Sequence, residues 1–328
     1  MRTRDAVLNY QKVLANAGTD TYDLKLVDPV SAIELEFEAV NGSTSNLENF
    51  ISDVITKVEV VDGSNVLASL NMSQLEALHF YKTRQTPVLF PSEWASGTQR
   101  HAATLFFGRR LWDPEYAMDF TRFNNPQLKV TSNLAAIRAV STDLGFTTGS
   151  LKYTAVAKVM EQLGSKPSKY LMQKEIESFT SAASGEKRID LPVDFPYRML
   201  MLRAYIEGSD VREVITDAKL TADTDAFIAF NRKVQQLDAQ ALAQFGRVDY
   251  KHDVFQASGA IIRILPNMEP DVQPRLWSNS LGRMVNVINT WSSQFTLGSF
   301  SDATTADATA RQMTCRISGH ALHATLPI

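Results

Sequence analysis

The sequence predicts an all-β protein built as two similar domains in tandem, with a few short helices. Three observations lead there. Period-two alternation dominates over helical spacing, one strand–turn–strand pattern recurs at nearly half the chain length, and the composition supports a sizeable core. The chain has 328 residues, 44% of them hydrophobic, which suits one large or two ordinary globular domains. Lys plus Arg is 33 against 36 Asp plus Glu, a formal net charge of -3. That balance argues against a general nucleic-acid binder, which needs a basic surface to displace counterions. It also argues against a disordered acidic protein. Fifteen Gly and twelve Pro exclude a linker-rich or collagen-like chain. A single cysteine, Cys315, excludes an intramolecular disulfide and a cysteine-pair metal site. There is no secretory h-region after Met1 and no apolar run of about 18 residues, so the expectation is a soluble protein folded in a reducing compartment.

Taken in order, Val7, Tyr10, Leu14 and Ala17 fall at spacings of three and four, with Gly18 as a stop, which predicts an amphipathic helix over residues 1–18. Arg2, Arg4 and Lys12 make it basic, and lipid headgroups or a protein surface are the two expected contacts. Strand signals come next. Ile33, Leu35, Phe37 and Ala39 alternate with Glu34, Glu36 and Glu38, giving one buried and one wet face before Asn41-Gly42. Val58 and Val60 alternate with Lys57 and Glu59 and run into Asp62-Gly63-Ser64-Asn65, after which Val66–Leu70 reads as a hairpin partner. Further strands are expected over Gln99–Phe107, Leu128–Thr131, Lys152–Met160, Tyr197–Ile206, Val211–Leu220, Ala260–Leu265 and Arg311–Ser318. Ser73-Gln74-Leu75-Glu76 has capping-box spacing and should open a short helix to about Lys82. A longer helix is expected through Phe227, Phe230, Val234, Leu237, Ala241 and Phe245, ending at Gly246.

The repeat decides the organisation. Val60-Val61-Asp62-Gly63-Ser64-Asn65-Val66 resembles Tyr205-Ile206-Glu207-Gly208-Ser209-Asp210-Val211, 145 positions later, and a helix is expected after each copy. The join is placed near Leu163–Ser168, giving a first β domain over 19–166 and a second over 167–328. Each half is long enough for an eight-stranded two-sheet or closed β domain.

Candidate chemistry is sparse. His79 is expected at a helix edge, and His320 and His323, three apart in a strand-like region, should face opposite sides and share no metal. His101 and His252 fall in no motif. There is no G-x-S-x-G elbow, Walker loop or H-E-x-x-H. Asp217, Asp223 and Asp225 are expected to cap the second helix, with a structural calcium ion as the other reading of the three carboxylates. Cys315 should point inward as a small hydrophobe. Arg109-Arg110 is too short for a nucleic-acid platform. No catalytic, cofactor-binding or metal-ligating residue is therefore assigned, no cofactor is expected apart from that calcium ion, and the chain reads as no enzyme.

The run Ile55–Leu70, followed by an amphipathic helix, resembles the first barrel of double jelly-roll major capsid proteins. These build tailless icosahedral bacteriophages with an internal lipid membrane, such as the corticoviruses and the lipid-containing phages of Flavobacterium. The resemblance covers residues 20–85 and, more weakly, 195–245. It implies two eight-stranded jelly-roll barrels per chain and a homotrimer presenting six barrels as a pseudo-hexameric tile. The partners it implies are neighbouring capsomers, minor capsid and vertex proteins, and an internal membrane touched through residues 1–18. The place it implies is a virion shell, made from protein synthesised in the host cytoplasm. Leu111–Pro126 and Trp291–Ala310 would be loops between strands. The other function class in play is a carbohydrate-binding or host-attachment jelly roll, for which Trp94, Trp112, Trp277 and Trp291 are available but show no shared face. A cupin-type enzyme would need a His/Glu metal set that the sequence does not display.

Overall fold

The computed structural model describes residues 1–43, 46, 49–135, 145–182, 184–223, 225–256, 261–275, 287–297, 301–302, 305–306 and 311–328. The first unit holds β1 (Arg2–Val13), β2 (Ala17–Asp23), β3 (Val30–Val40), β4 (Ile55–Asp62), β5 (Asn65–Leu70), β6 (Val88–Phe90), β7 (Thr98–Phe106), β8 (Pro126–Asn133) and β9 (Lys152–Glu161). Helix α1 (Ile51–Val54) precedes β4, and α2 (Met72–Thr83) joins β5 to β6. The strands pair as nested ribbons. β1 pairs with β9, β2 with β8, β3 with β7, and β4 with β5, all antiparallel. The ribbons fold into two sheets ordered β1-β9-β3-β7 and β5-β4-β8-β2, with β6 added at the end of the first. That is the eight-stranded jelly roll.

Alternation in the sequence builds its core. Ile33, Leu35 and Phe37 of β3 meet Ala103 and Leu105 of β7 and Tyr153, Ala155, Ala157 and Val159 of β9, all buried, with Val58, Val60, Leu128 and Val130 from the second sheet. Glu34, Glu36 and Glu38 face outward, where Lys158 and Arg100 pair with them.

Residues 162–245 form no comparable sheet pair among the described residues. They carry β10 (Gln173–Lys174) alongside β5, β11 (Met201–Arg203), helix α3 (Val211–Val214), the hairpin β12 (Asp217–Ala222) and β13 (Phe227–Lys233), and helix α4 (Val234–Phe245). The second unit comes next, with β14 (Val248–Gln256), β15 (Ile261–Arg263), β16 (Pro266–Arg275), β17 (Val287–Trp291), β18 (Gln294–Leu297), the two-residue β19 (Ser301–Asp302) and β20 (Thr305–Ala306), β21 (Arg311–Leu322) and β22 (Thr325–Pro327). Its described strands form sheets ordered β14-β21-β16 and β15-β18-β17. The nesting begins as in the first unit: the opening strand pairs with the long closing strand, and the second strand pairs inside it.

Five expectations are corrected. Residues 1–18 form no helix: residues 2–13 are β1, the outermost strand of its sheet. The three–four spacing there is incidental; Ala6 and Leu8 point inward at period two, and the apolar β9 offers a ladder that outweighs a marginal isolated helix. The repeat is a repeat of a turn only. Gly63 and Gly208 both take left-handed φ, but the second copy leads into α3 because Asp210 and Glu213 form a capping box. The second expected helix starts at Val234, and Phe227 and Phe230 lie in β13. Tyr197–Ile206 is strand only at Met201–Arg203. Helix α2 begins one residue before Ser73, capped by Asn71, whose side chain accepts from Gln74 N at 2.8 Å. Ala260 and Trp277 lie outside the described residues.

Candidate functional site

The chemistry-bearing side chains gather where the two units meet, around α2. Its apolar residues cover both flanks of the helix. Met72 and Leu75 enter the first core, while Ala77, Phe80 and Tyr81 join a second core with Val248, Tyr250, Ile262, Ile264, Cys315 and Ile317. A helix apolar on two sides is a buried helix, and Glu76 sits within it with no exposed surface.

Two imidazoles satisfy this carboxylate. His101, on the inward face of β7, places Nδ1 2.8 Å from Glu76 Oε1, and His323, just past β21, bonds Oε2 through Nε2. An ionised carboxylate only accepts, so both ring nitrogens donate. Burial raises the Glu76 pKa, but His101 and His323 outweigh it and hold the group down at about 2. Burial lowers the His323 pKa, which keeps that ring a neutral N–H donor. Ala321, His323 and Ala324 all adopt left-handed φ between 52° and 55°. This strained turn is gripped by Leu265 O, which accepts from His323 N, and by Tyr81, whose hydroxyl donates to Thr325 O at 2.6 Å.

A second tie lies close by. Arg263 of β15, 4% exposed, donates to both oxygens of Asp53 in α1 at 2.6 and 3.2 Å and to the Tyr205 hydroxyl at 2.9 Å. Its guanidinium also lies 4.9 Å over the Phe50 ring. Burial opposes this charge, but Asp53 and Tyr205 outweigh it and raise the pKa. Third, His252 of β14 approaches Glu93, with Nε2 3.2 Å from Oε1, and burial depresses this histidine to about 3. Trp94 Nε1 donates to Val254 O nearby.

The arrangement ties α2 of the first unit to the closing turn of the second. Glu76, His101 and His323 are buried, and the two rings bond both carboxylate oxygens while His101 Nε2 keeps no hydrogen-bond partner. No three ligating groups converge on a metal position among the described residues. His320 faces away from His323, contacting Gly246 O and Asp238, and His79 Nδ1 accepts from Thr104 N at 3.0 Å. Asp217, Asp223 and Asp225 belong to the β12–β13 hairpin rather than a helix start, and Asp225 binds Lys219. Cys315 is buried in β21, its thiol pushed up to about 12 by burial. Arg109 folds onto Asp113, Glu115 and the Tyr116 ring. Trp291 is exposed at the end of β17, and Trp112 lies in the β7–β8 connection. Sequence reasoning missed Glu76 and Arg263. The available signal was α2 itself, whose apolar residues surround Glu76 on every side.

No family model and no curated protein matches the sequence. Among solved structures, the STIV major capsid protein aligns over 100% of this chain and 96% of its own, at 8% identity and a TM-score of 0.38. The major capsid protein P2 from Bacteriophage PM2 aligns over 99% and 95%, at 9% identity and a TM-score of 0.33. The chain spans 53% of the length of the subunit in the PBCV-1 virus capsid, at 9% identity and a TM-score of 0.34. Likeness at this level defines no residue correspondences, and the roles of the junction residues rest on this chain's own contacts.

Proposed function

We propose that this chain is the major capsid protein of an icosahedral virion, assembling as a homotrimer whose six β units form a pseudo-hexameric tile. The observation that carries the reading is the nested strand pairing started twice in one chain and locked together by a buried polar junction. Two like units fixed side by side, taken three times around an axis, give six units on a near-hexagonal footprint. Such a tile extends into a shell through weaker contacts with its neighbours. A rigid junction suits this role, because a closed shell requires the two units to keep one relative orientation in every copy. The long connections between strands, such as residues 107–125, lie at the ends of the sheets, where loops vary without disturbing a core. Minor and vertex proteins and an enclosed membrane are implied by the family resemblance alone. The helix that would have met that membrane is a strand, so no lipid contact is assigned to residues 1–18.

The test is native mass measurement with negative-stain imaging of the purified full chain. Trimers, their multiples or hexagonal tiles support the reading. A monomer at micromolar concentration overturns it.

A further inference from the structure

Two exposed apolar features remain without a partner in a single copy. One is β1, which has β9 on one side and nothing on the other among the described residues, and which exposes Val7, Tyr10 and Val13. A long edge strand with open backbone groups and apolar side chains is a template for another strand. The other is the segment between β10 and β11. Residues 175–200 enter no sheet ladder among the described residues, yet Ile176, Phe179, Ile189, Val193, Phe195 and Tyr197 are all exposed there, Val193 to 93%.

The segment has the pattern of an added strand. In Ile189-Asp190-Leu191-Pro192-Val193-Asp194-Phe195-Pro196, the odd positions are all apolar, and the even positions are only aspartate and proline. In an extended strand alternate residues share a face, and their N–H and C=O groups share an edge. The odd edge therefore keeps every donor, while Pro192 and Pro196 remove donors from the even edge, the arrangement proline tolerates in an edge strand. In the single copy the chain bends at Asp194–Phe195 and the Tyr197 hydroxyl donates back to Pro192 O at 2.6 Å, so this bend opens when the segment pairs. The segment can pair once and then stops. Charge agrees. Asp190 and Asp194 carry negative charge, whereas β1 carries Arg2, Arg4 and Lys12 against Asp5; Glu161 and Asp20 of the same copy share these cations, and Arg2 stays 69% exposed.

We infer that residues 189–195 of one copy add as a strand to the open edge of β1 in a neighbouring copy. The inference rests on the proposed ring of copies. The two surfaces differ, so the contact is heterologous and closes only under rotational symmetry. Main-chain bonds supply affinity and the apolar face sets position.

The test mixes single-cysteine variants of the full chain. Val7→Cys and Tyr10→Cys are each combined with Leu191→Cys or Val193→Cys under mild oxidation, the native Cys315 being buried. The expected result is a mixed disulfide-linked dimer in at least one combination and in none of the variants alone. In addition, Val193→Pro, which removes an odd-edge donor at an exposed site, should weaken self-association at least tenfold with the circular dichroism spectrum unchanged. A closed oligomer by native mass with no mixed cross-link, and with Val193→Pro inert, overturns the strand addition and leaves the capsid reading standing. A monomer at all concentrations overturns both. Cross-linking only within one chain of a Val7→Cys/Val193→Cys double variant overturns the contact between copies. So does a monomer that floats with anionic vesicles and loses them on Val193→Pro.

Discussion

Removing the Glu76 carboxylate should cost more than any surface ion pair in the molecule. Truncation by Glu76→Ala strips the acceptor from His101 Nδ1–H and His323 Nε2–H, both in a region without solvent. Each buried donor left unmade costs about 1–3 kcal/mol. The two together give about 2–6 kcal/mol, with a further loss from the cavity. Glu76→Gln should cost about 1–3 kcal/mol, because the amide oxygen still accepts one bond while its NH2 faces the other ring. That ring must then change tautomer. For His101 this puts the proton on Nε2, which has no partner in the structure. Against a typical total of about 5–15 kcal/mol, both changes are visible in denaturant unfolding, with alanine the larger. Hydrogen exchange should show faster opening at residues 321–327 than in β3 or β9, because His323 ties the closing turn to α2. If both variants unfold within about 1 kcal/mol of the parent, Glu76 is not what holds the junction.

Acid should loosen the fold well above the carboxylate range. Burial depresses His252 to about 3 and His79 and His320 to about 4, each from 6.5. The unfolded chain therefore takes up these protons first, and stability present above pH 6.5 falls as pH drops toward 4, by at most about 4 kcal/mol per pH unit for the three. A flat urea midpoint between pH 7 and 5 would contradict those burials. Glu76 adds a separate loss from about pH 4.5 down to about 2, read in the parent but absent from Glu76→Gln. Replacing Arg263 with Met should cost about 3–5 kcal/mol by removing the buried guanidinium that donates to both Asp53 oxygens, measured by the same unfolding assay. Cys315 should ignore a thiol reagent at pH 8 until the protein unfolds, and reductant should leave the melting temperature unchanged.

How much of the fold is legible in the sequence depends on the range of the forces involved. Strands β3, β4, β7, β8, β9 and β21 are visible because each buries one face, so period two is written directly into Ile33–Ala39 or Met313–Ile317. Turn chemistry is local too, and both Asp/Glu-Gly-Ser turns are turns. The path of the chain beyond a turn is decided elsewhere. Asn65 continues into a strand that β4 accepts, whereas Asp210 caps α3, and the two copies therefore diverge within two residues. The junction was out of reach for the same reason. Glu76 and His323 are 247 positions apart, and nothing near either residue in sequence announces the other. His252 and His323 looked idle because their partners, Glu93 and Glu76, are supplied by the packing of the other unit. The alternation at 189–195 escaped the sequence reading, and its meaning depends on the finding that no described sheet within the copy accepts it.

The N-terminal strand gives the sharpest contrast between the two readings of this chain. As a surface helix, residues 1–18 could be removed with the trimer intact. As β1, they close one side of the first barrel. Leu8 and, just beyond the strand, Leu14 belong to its core, at 8% and 3% exposure. Deleting residues 1–13 removes Leu8 and the whole ladder to β9 from Arg2↔Glu161 to Val13↔Lys152. A lost core leucine costs about 2–5 kcal/mol, and each lost ladder bond adds about 0.5–1.5 kcal/mol. The sum reaches the whole stability of an ordinary domain. It also bares β9, whose Tyr153, Ala155, Ala157 and Val159 line the core, as a new apolar edge. The truncated chain should therefore be insoluble or aggregated on expression. The milder Leu8→Ala should remain folded with about 2–5 kcal/mol less stability by urea unfolding. A soluble, cooperatively folding 14–328 fragment would show that the barrel closes without β1, and that the strand's role lies between copies instead.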